Sequence, residues 1–81
     1  MSDEGLRDAL RARLVDDLFF GEPGEIADDD DLFELGLDSM GITRLLVFIE
    51  RSLGARIPDR EITAERMKTI ERIAQMVEGY R

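Results

Sequence analysis

The 81-residue chain contains no histidine and no cysteine. Without histidine an ordinary serine triad cannot be assembled. Acid–base chemistry near neutral pH would then fall to a carboxylate held in a dry cleft, and a domain of this size has little depth for one. Without cysteine there is no disulfide framework and no thiolate metal site, a composition that suits the cytoplasm. No apolar run approaches the length of a membrane span. The opening residues, MSDEGLRDAL, lack both the basic start and the apolar stretch of a signal peptide. Bases are also missing where acids crowd: positions 22–38 hold eight acids and no base, and the rest balances 11 against 11. No basic face survives beside that segment, which argues against a nucleic-acid partner. The expectation is a cytoplasmic, monomeric, non-enzymatic protein that does not insert into membranes.

What is present builds one small core. At 43% hydrophobic and 37% charged residues the chain reads as a single globular domain, residues 1–81. Leu6, Leu10, Leu14 and Leu18 recur every fourth residue and predict a first helix from Ser2 to about Phe20, capped by Ser2 or Asp3 and stopped by Gly21, Pro23 and Gly24. A long acidic connection follows, dotted with Ile26, Leu32, Phe33, Leu35 and Leu37, which predicts a loop laid across the core. A second helix is expected from Ser39 to Leu53, with Asp38 as its cap and Gly54 just past its end. At about 100° per residue, Ile42, Leu45, Leu46, Ile49 and Leu53 form its inner stripe, and Met40, Arg44, Val47 and Arg51 share the opposite side. Ile57-Pro58-Asp59 reads as a turn opening a short helix, with Pro58 at its first position. A last helix begins near Thr69, turns Ile70, Ile73, Ala74 and Val77 inward, and frays near Gly79. The fold class is therefore all-α, a small four-helix bundle of three longer helices and one short one, with a long loop between the first two.

The stretch ELGLDSMGI, Glu34–Ile42, holds the candidate site. As the first residue of a helix, Ser39 lies where free backbone N–H groups and the positive dipole end favour a phosphate. Taken alone, an Asp-Ser pair at a helix start is an ordinary cap. Asp28–Asp31 departs from the EF-hand pattern, which alternates its ligands around a central glycine; it reads as a solvated acidic loop, and no metal ligands are assigned.

LFELGLDSM followed by an amphipathic helix resembles the attachment motif of acyl and peptidyl carrier proteins, L-G-x-D-S-[LM], of the stand-alone type. The resemblance extends from the first helix through the acidic loop to ARIPD and the final helix. It implies that Ser39 receives 4′-phosphopantetheine from coenzyme A through a phosphodiester, installed by a Mg²⁺-dependent phosphopantetheinyl transferase. The arm's thiol would then carry an acyl or aminoacyl group as a thioester, supplying the sulfur that the chain lacks. Asp38 matches the acidic neighbour of the family's serine and Met40 the apolar residue after it. Leu35, Ile49 and Ile57 look like pocket-rim and core positions, and Leu46, Phe48 and Ile49 fit either a cargo pocket or plain packing.

The second helix is the family's docking surface, and Met40, Arg44, Val47 and Arg51 are its candidates here. Gly41, Arg44 and Arg51 stand where fatty-acid carriers usually show acids. That departure favours a specialised polyketide, lipid or secondary-metabolite pathway over housekeeping fatty-acid synthesis, because charge complementarity selects partners. The expected partners are the transferase, an acyl- or aminoacyl-loading enzyme, and a downstream synthase or transferase. An aminoacyl or peptidyl carrier loaded by an adenylating enzyme is the alternative within the class. An unmodified acidic helical adaptor, using Met40 and Val47 as its contact, is the alternative outside it.

Overall fold

Leu6, Leu10 and Leu14 stand one above another on the first helix, α1 (Asp3–Leu18), and all three are fully buried. The computed structural model describes residues 3–18 and 26–81, the side chains of Asp3, Asp17 and Leu18 excepted. The proposed cap at Ser2, the inward role of Leu18 and the stop at Gly21, Pro23 and Gly24 lie outside the described residues. α2 (Ser39–Leu53) and α3 (Ile70–Glu78) complete the frame. α1 packs against both, and no strand occurs among the described residues.

The expected inner faces meet in one core, except that Leu46 of the α2 stripe lies outside it, half-buried beside a surface cleft. Leu45 and Ile49 of α2 and Ile70, Ile73, Ala74 and Val77 of α3 are fully buried with the α1 leucines. Ile42 and Leu53 are only partly covered, at the edge of the same cluster. Met67 and Ala55 are buried as well, although neither belongs to a periodic segment.

The ends of the helices follow local chemistry. Gly54 closes α2 at φ 70°, a left-handed conformation that costs glycine nothing and lets its N–H reach the Ile49 carbonyl. Thr69 is the cap of α3 rather than its first residue, its hydroxyl accepting from the Arg72 N–H at 3.1 Å.

The expected fourth helix is only one 3₁₀ turn, Asp59–Glu61. Pro58 precedes it in an extended conformation. Glu61 and Ile62 donate back to the Pro58 and Asp59 carbonyls, at 2.9 and 3.0 Å. None of the three residues is buried, so no apolar face offsets the cost of propagating a helix.

The acidic connection is pinned rather than merely solvated. The Arg7 and Arg11 guanidinium groups of α1 both reach the Asp28 carboxylate, and Arg11 Nε donates to the Ile26 carbonyl at 2.9 Å. Asp30 accepts from the Ala27 N–H at 2.8 Å and Asp31 from the Phe33 N–H at 3.0 Å, each closing a local turn. Leu32 N–H donates to the Lys68 carbonyl (2.8 Å) and Glu71 N–H to the Asp28 carbonyl (3.1 Å), which binds the loop to the segment entering α3. Among the described residues no three His, Cys, Asp or Glu side chains converge as a metal site. Arg11→Ala removes one of the two guanidinium links from α1 to Asp28 together with the bond to the Ile26 carbonyl, and leaves the Arg7 link. It is expected to cost about 2 kcal/mol in urea unfolding.

Candidate functional site

Three hydrogen bonds fold Leu32–Leu37 into tight turns, placing Asp38 at the mouth of α2. Leu35 N–H reaches the Leu32 carbonyl, Gly36 N–H that of Phe33, and Leu37 N–H that of Leu32, at 3.1, 3.2 and 2.9 Å. Gly36 sits at φ 112°, where a side chain would be strained. This explains the Leu-Gly-Leu part of the motif: both leucines pack on the core while the glycine reverses the chain.

Asp38 is extended, and its Oδ1 accepts from the Gly41 N–H at 2.9 Å while its carbonyl accepts from Ile42 N–H at 2.9 Å. The carboxylate is thus committed to the helix end. Ser39 follows it as the first residue of α2 and is exposed. Its carbonyl accepts from Thr43 Oγ1 at 3.0 Å. The N–H groups of Ser39 and Met40 have no acceptor among the described residues. The first turn of α2 holds no acid. An accessible hydroxyl beside two unclaimed donors at a positive helix end fits a phosphodiester.

Met40 is 64% and Val47 44% exposed, the two large hydrophobics left uncovered among the described residues. Ser39, Met40, Thr43 and Arg44 line one shallow cleft of about 290 Å³. Thr43 also opens a second, of about 260 Å³, in which Leu46, Val47 and Glu50 of α2 face Arg56, Ile57, Asp59 and Ile62. The structure therefore brings Ser39, Met40 and Arg44 together and continues the surface to Val47. Arg51 is exposed in the last turn of α2 and lines neither cleft. Ile49 is fully buried core. Phe48 is half-buried beneath the Arg13 guanidinium, 5.8 Å from its ring centre. Of the pocket-or-core trio only Leu46 borders a cleft.

Two features of this region were not readable from periodicity. The wall formed by Arg56, Asp59 and Ile62 is brought to α2 by tertiary packing. Gly41, one of the positions where fatty-acid carriers usually show an acid, is buried. A Cβ there would lie 2.9 Å from Leu37 Cδ1, so any larger residue at this position requires the end of the Leu37 side chain to move. Gly41→Glu is expected to change stability by no more than about 1 kcal/mol, the displacement of the Leu37 side chain being offset in part by the higher helix propensity of glutamate. Circular dichroism through a urea titration measures it.

Residues 8–77 match the family model described as a phosphopantetheine attachment site. The D-alanyl carrier protein of Streptococcus pyogenes serotype M5 (strain Manfredo) is 36% identical over 66 residues, which cover 80% of this chain and 82% of that protein. The D-alanyl carrier protein of S. pyogenes serotype M1 gives the same figures. Among solved structures, the mupirocin didomain ACP has a TM-score of 0.81 at 26% identity, covering 99% of this chain and 42% of that one. The structure of Bradyrhizobium japonicum glycine:[carrier protein] ligase with its cognate carrier protein and an analogue of glycyl adenylate also matches. There the TM-score is 0.73 at 22% identity, with 95% of this chain and 96% of the matched chain covered, a likeness of fold. This chain belongs to the phosphopantetheine-attachment family of carrier proteins, and 4′-phosphopantetheine is its covalent cofactor.

Proposed function

We propose that Ser39 is the attachment residue and that the chain carries a small aminoacyl group for an adenylating ligase. The observation that carries the reading is the exposed Ser39 hydroxyl at the start of α2, within the LGLDSM stretch that resembles the family's attachment motif and beside two free backbone donors. When attached, the arm supplies the thiol on which cargo is held as a thioester. The chain's own part is positional. Asp38 fixes the first turn through Gly41 N–H, the Ser39 and Met40 N–H groups face the phosphate, and Met40, Arg44, Val47 and Arg51 receive the partner enzymes. The chain itself catalyses no step, and acts as a monomeric single domain in the cytoplasm. The aminoacyl reading is supported by 36% identity to D-alanyl carrier proteins across 80% of the chain.

A second reading, acyl cargo in a polyketide or other specialised pathway, is supported by the likeness to the mupirocin didomain ACP at 26% identity. Intact mass of the protein isolated from its native cells under acid quench separates the two. The arm bearing a small amino acid is expected. The arm bearing a ketide or longer acyl chain would overturn the aminoacyl reading and leave the attachment standing.

A further inference from the structure

Within a chain of net charge −8, residues 40–60 hold four arginines against two acids, Glu50 and Asp59. Outside that stretch four arginines find carboxylates inside the molecule, Arg7 and Arg11 on Asp28, Arg66 on Glu61 and Arg81 on Glu78, and Arg72 donates to the Glu65 carbonyl. Arg44, Arg51 and Arg56 do not. All three are exposed, reach no carboxylate and donate no hydrogen bond among the described residues. Met40, Arg44, Val47 and Arg51 follow one another at helical spacings of four and three residues and so share a side of α2. Arg56 stands across the second cleft from Val47. The exposed apolar pair is therefore ringed by cations that the fold leaves unneutralised, on the one surface that borders Ser39.

We infer that this surface docks a protein whose contact site is an apolar pocket flanked by carboxylates. The proposal rests on the carrier reading only in placing the contact beside Ser39. Complementary charge guides encounter and fixes register, while the apolar pair supplies the area removed from water. Methionine suits such a contact, because its flexible side chain adapts to the pocket that receives it. An anionic lipid surface fits less well: the net charge of −8 opposes approach, and Glu50 and Asp59 lie within the same surface.

Two helical peptides with one leucine–phenylalanine face, flanked in one by glutamates and in the other by lysines, test the inference on ¹⁵N-labelled protein. At about 50 mM salt, the glutamate peptide is expected to shift the amides of Met40, Arg44, Val47 and Arg51. It should bind there at least about fivefold more tightly than the lysine peptide. The preference should vanish at about 300 mM salt. It should also vanish in Arg44→Glu/Arg51→Glu and weaken in Arg44→Gln/Arg51→Gln, whose unchanged spectra outside α2 establish that both variants fold. Equal or tighter binding of the lysine peptide at these amides, or no binding of either, would overturn the proposal. So would shifts of the same amides on adding phosphatidylglycerol vesicles, or on raising protein concentration alone, which would give the surface to lipid or to a second copy. Mass gain with coenzyme A and a broad-specificity transferase scores the carrier reading separately: a protein that takes the arm but fails the peptide test keeps that reading and loses this one.

Discussion

Alanine in place of Ser39 is expected to abolish attachment of the arm while leaving the fold intact. The hydroxyl is exposed, and the contact made by Ser39 runs through its carbonyl, which accepts from Thr43. The Asp38 cap does not use the hydroxyl either. Stability should therefore change by no more than about 0.5 kcal/mol. Incubation with coenzyme A and a broad-specificity transferase should add the arm to the wild type and nothing to Ser39→Ala. This pairing of a complete functional loss with a nearly silent thermal melt distinguishes a carrier from an unmodified adaptor. An adaptor using Met40 and Val47 would keep its activity in Ser39→Ala.

Leu32→Ala is expected to produce the largest loss of stability, about 3 kcal/mol. Leu32 is fully buried within the connection that leads to the site. Its N–H bonds the Lys68 carbonyl, and its own carbonyl receives Leu37 N–H. Truncation leaves a cavity between the loop and the core, at a place where the backbone is held from both sides and cannot readily collapse. For a domain of this size the midpoint of thermal unfolding should fall by roughly 10–20 °C. Because Leu37 leads directly into Asp38, transferase modification should also slow. Modification at the wild-type rate, with the predicted loss of stability, would separate the loop's role in folding from its role in presenting Ser39.

These two residues mark how far the sequence could be read. Ser39 was legible because capping chemistry is local: Asp38, the start of α2 and Gly54 at its end follow from residue types within a few positions. The bounds expected for α2 match those observed, Ser39–Leu53. The inward stripe of α3 was legible from its period. Leu32 could be named as an apolar residue of a loop over the core, but the hydrogen bond to Lys68 spans the chain and leaves no periodic trace. The same holds for Met67, buried in a segment with no helical repeat, and for the hold of Arg7 and Arg11 on Asp28. Four consecutive aspartates suggest a solvated run. Their different tasks emerge only when α1 and the turns bring guanidinium and N–H groups to them.

Gly41 gives the same lesson on α2. The resemblance to fatty-acid carriers grouped it with Arg44 and Arg51 as a missing acid. Packing places it against Leu37, whereas Arg44 and Arg51 are exposed. Met40 and Val47 were expected outside the core stripe and are the exposed large hydrophobics of the described residues.

The most direct test of the central claim is fragmentation mass spectrometry of the wild-type protein after incubation with coenzyme A and a transferase. The account predicts a single arm located on Ser39 within the peptide that spans ELGLDSMGI. No mass gain, or an arm found on any other residue, would contradict it.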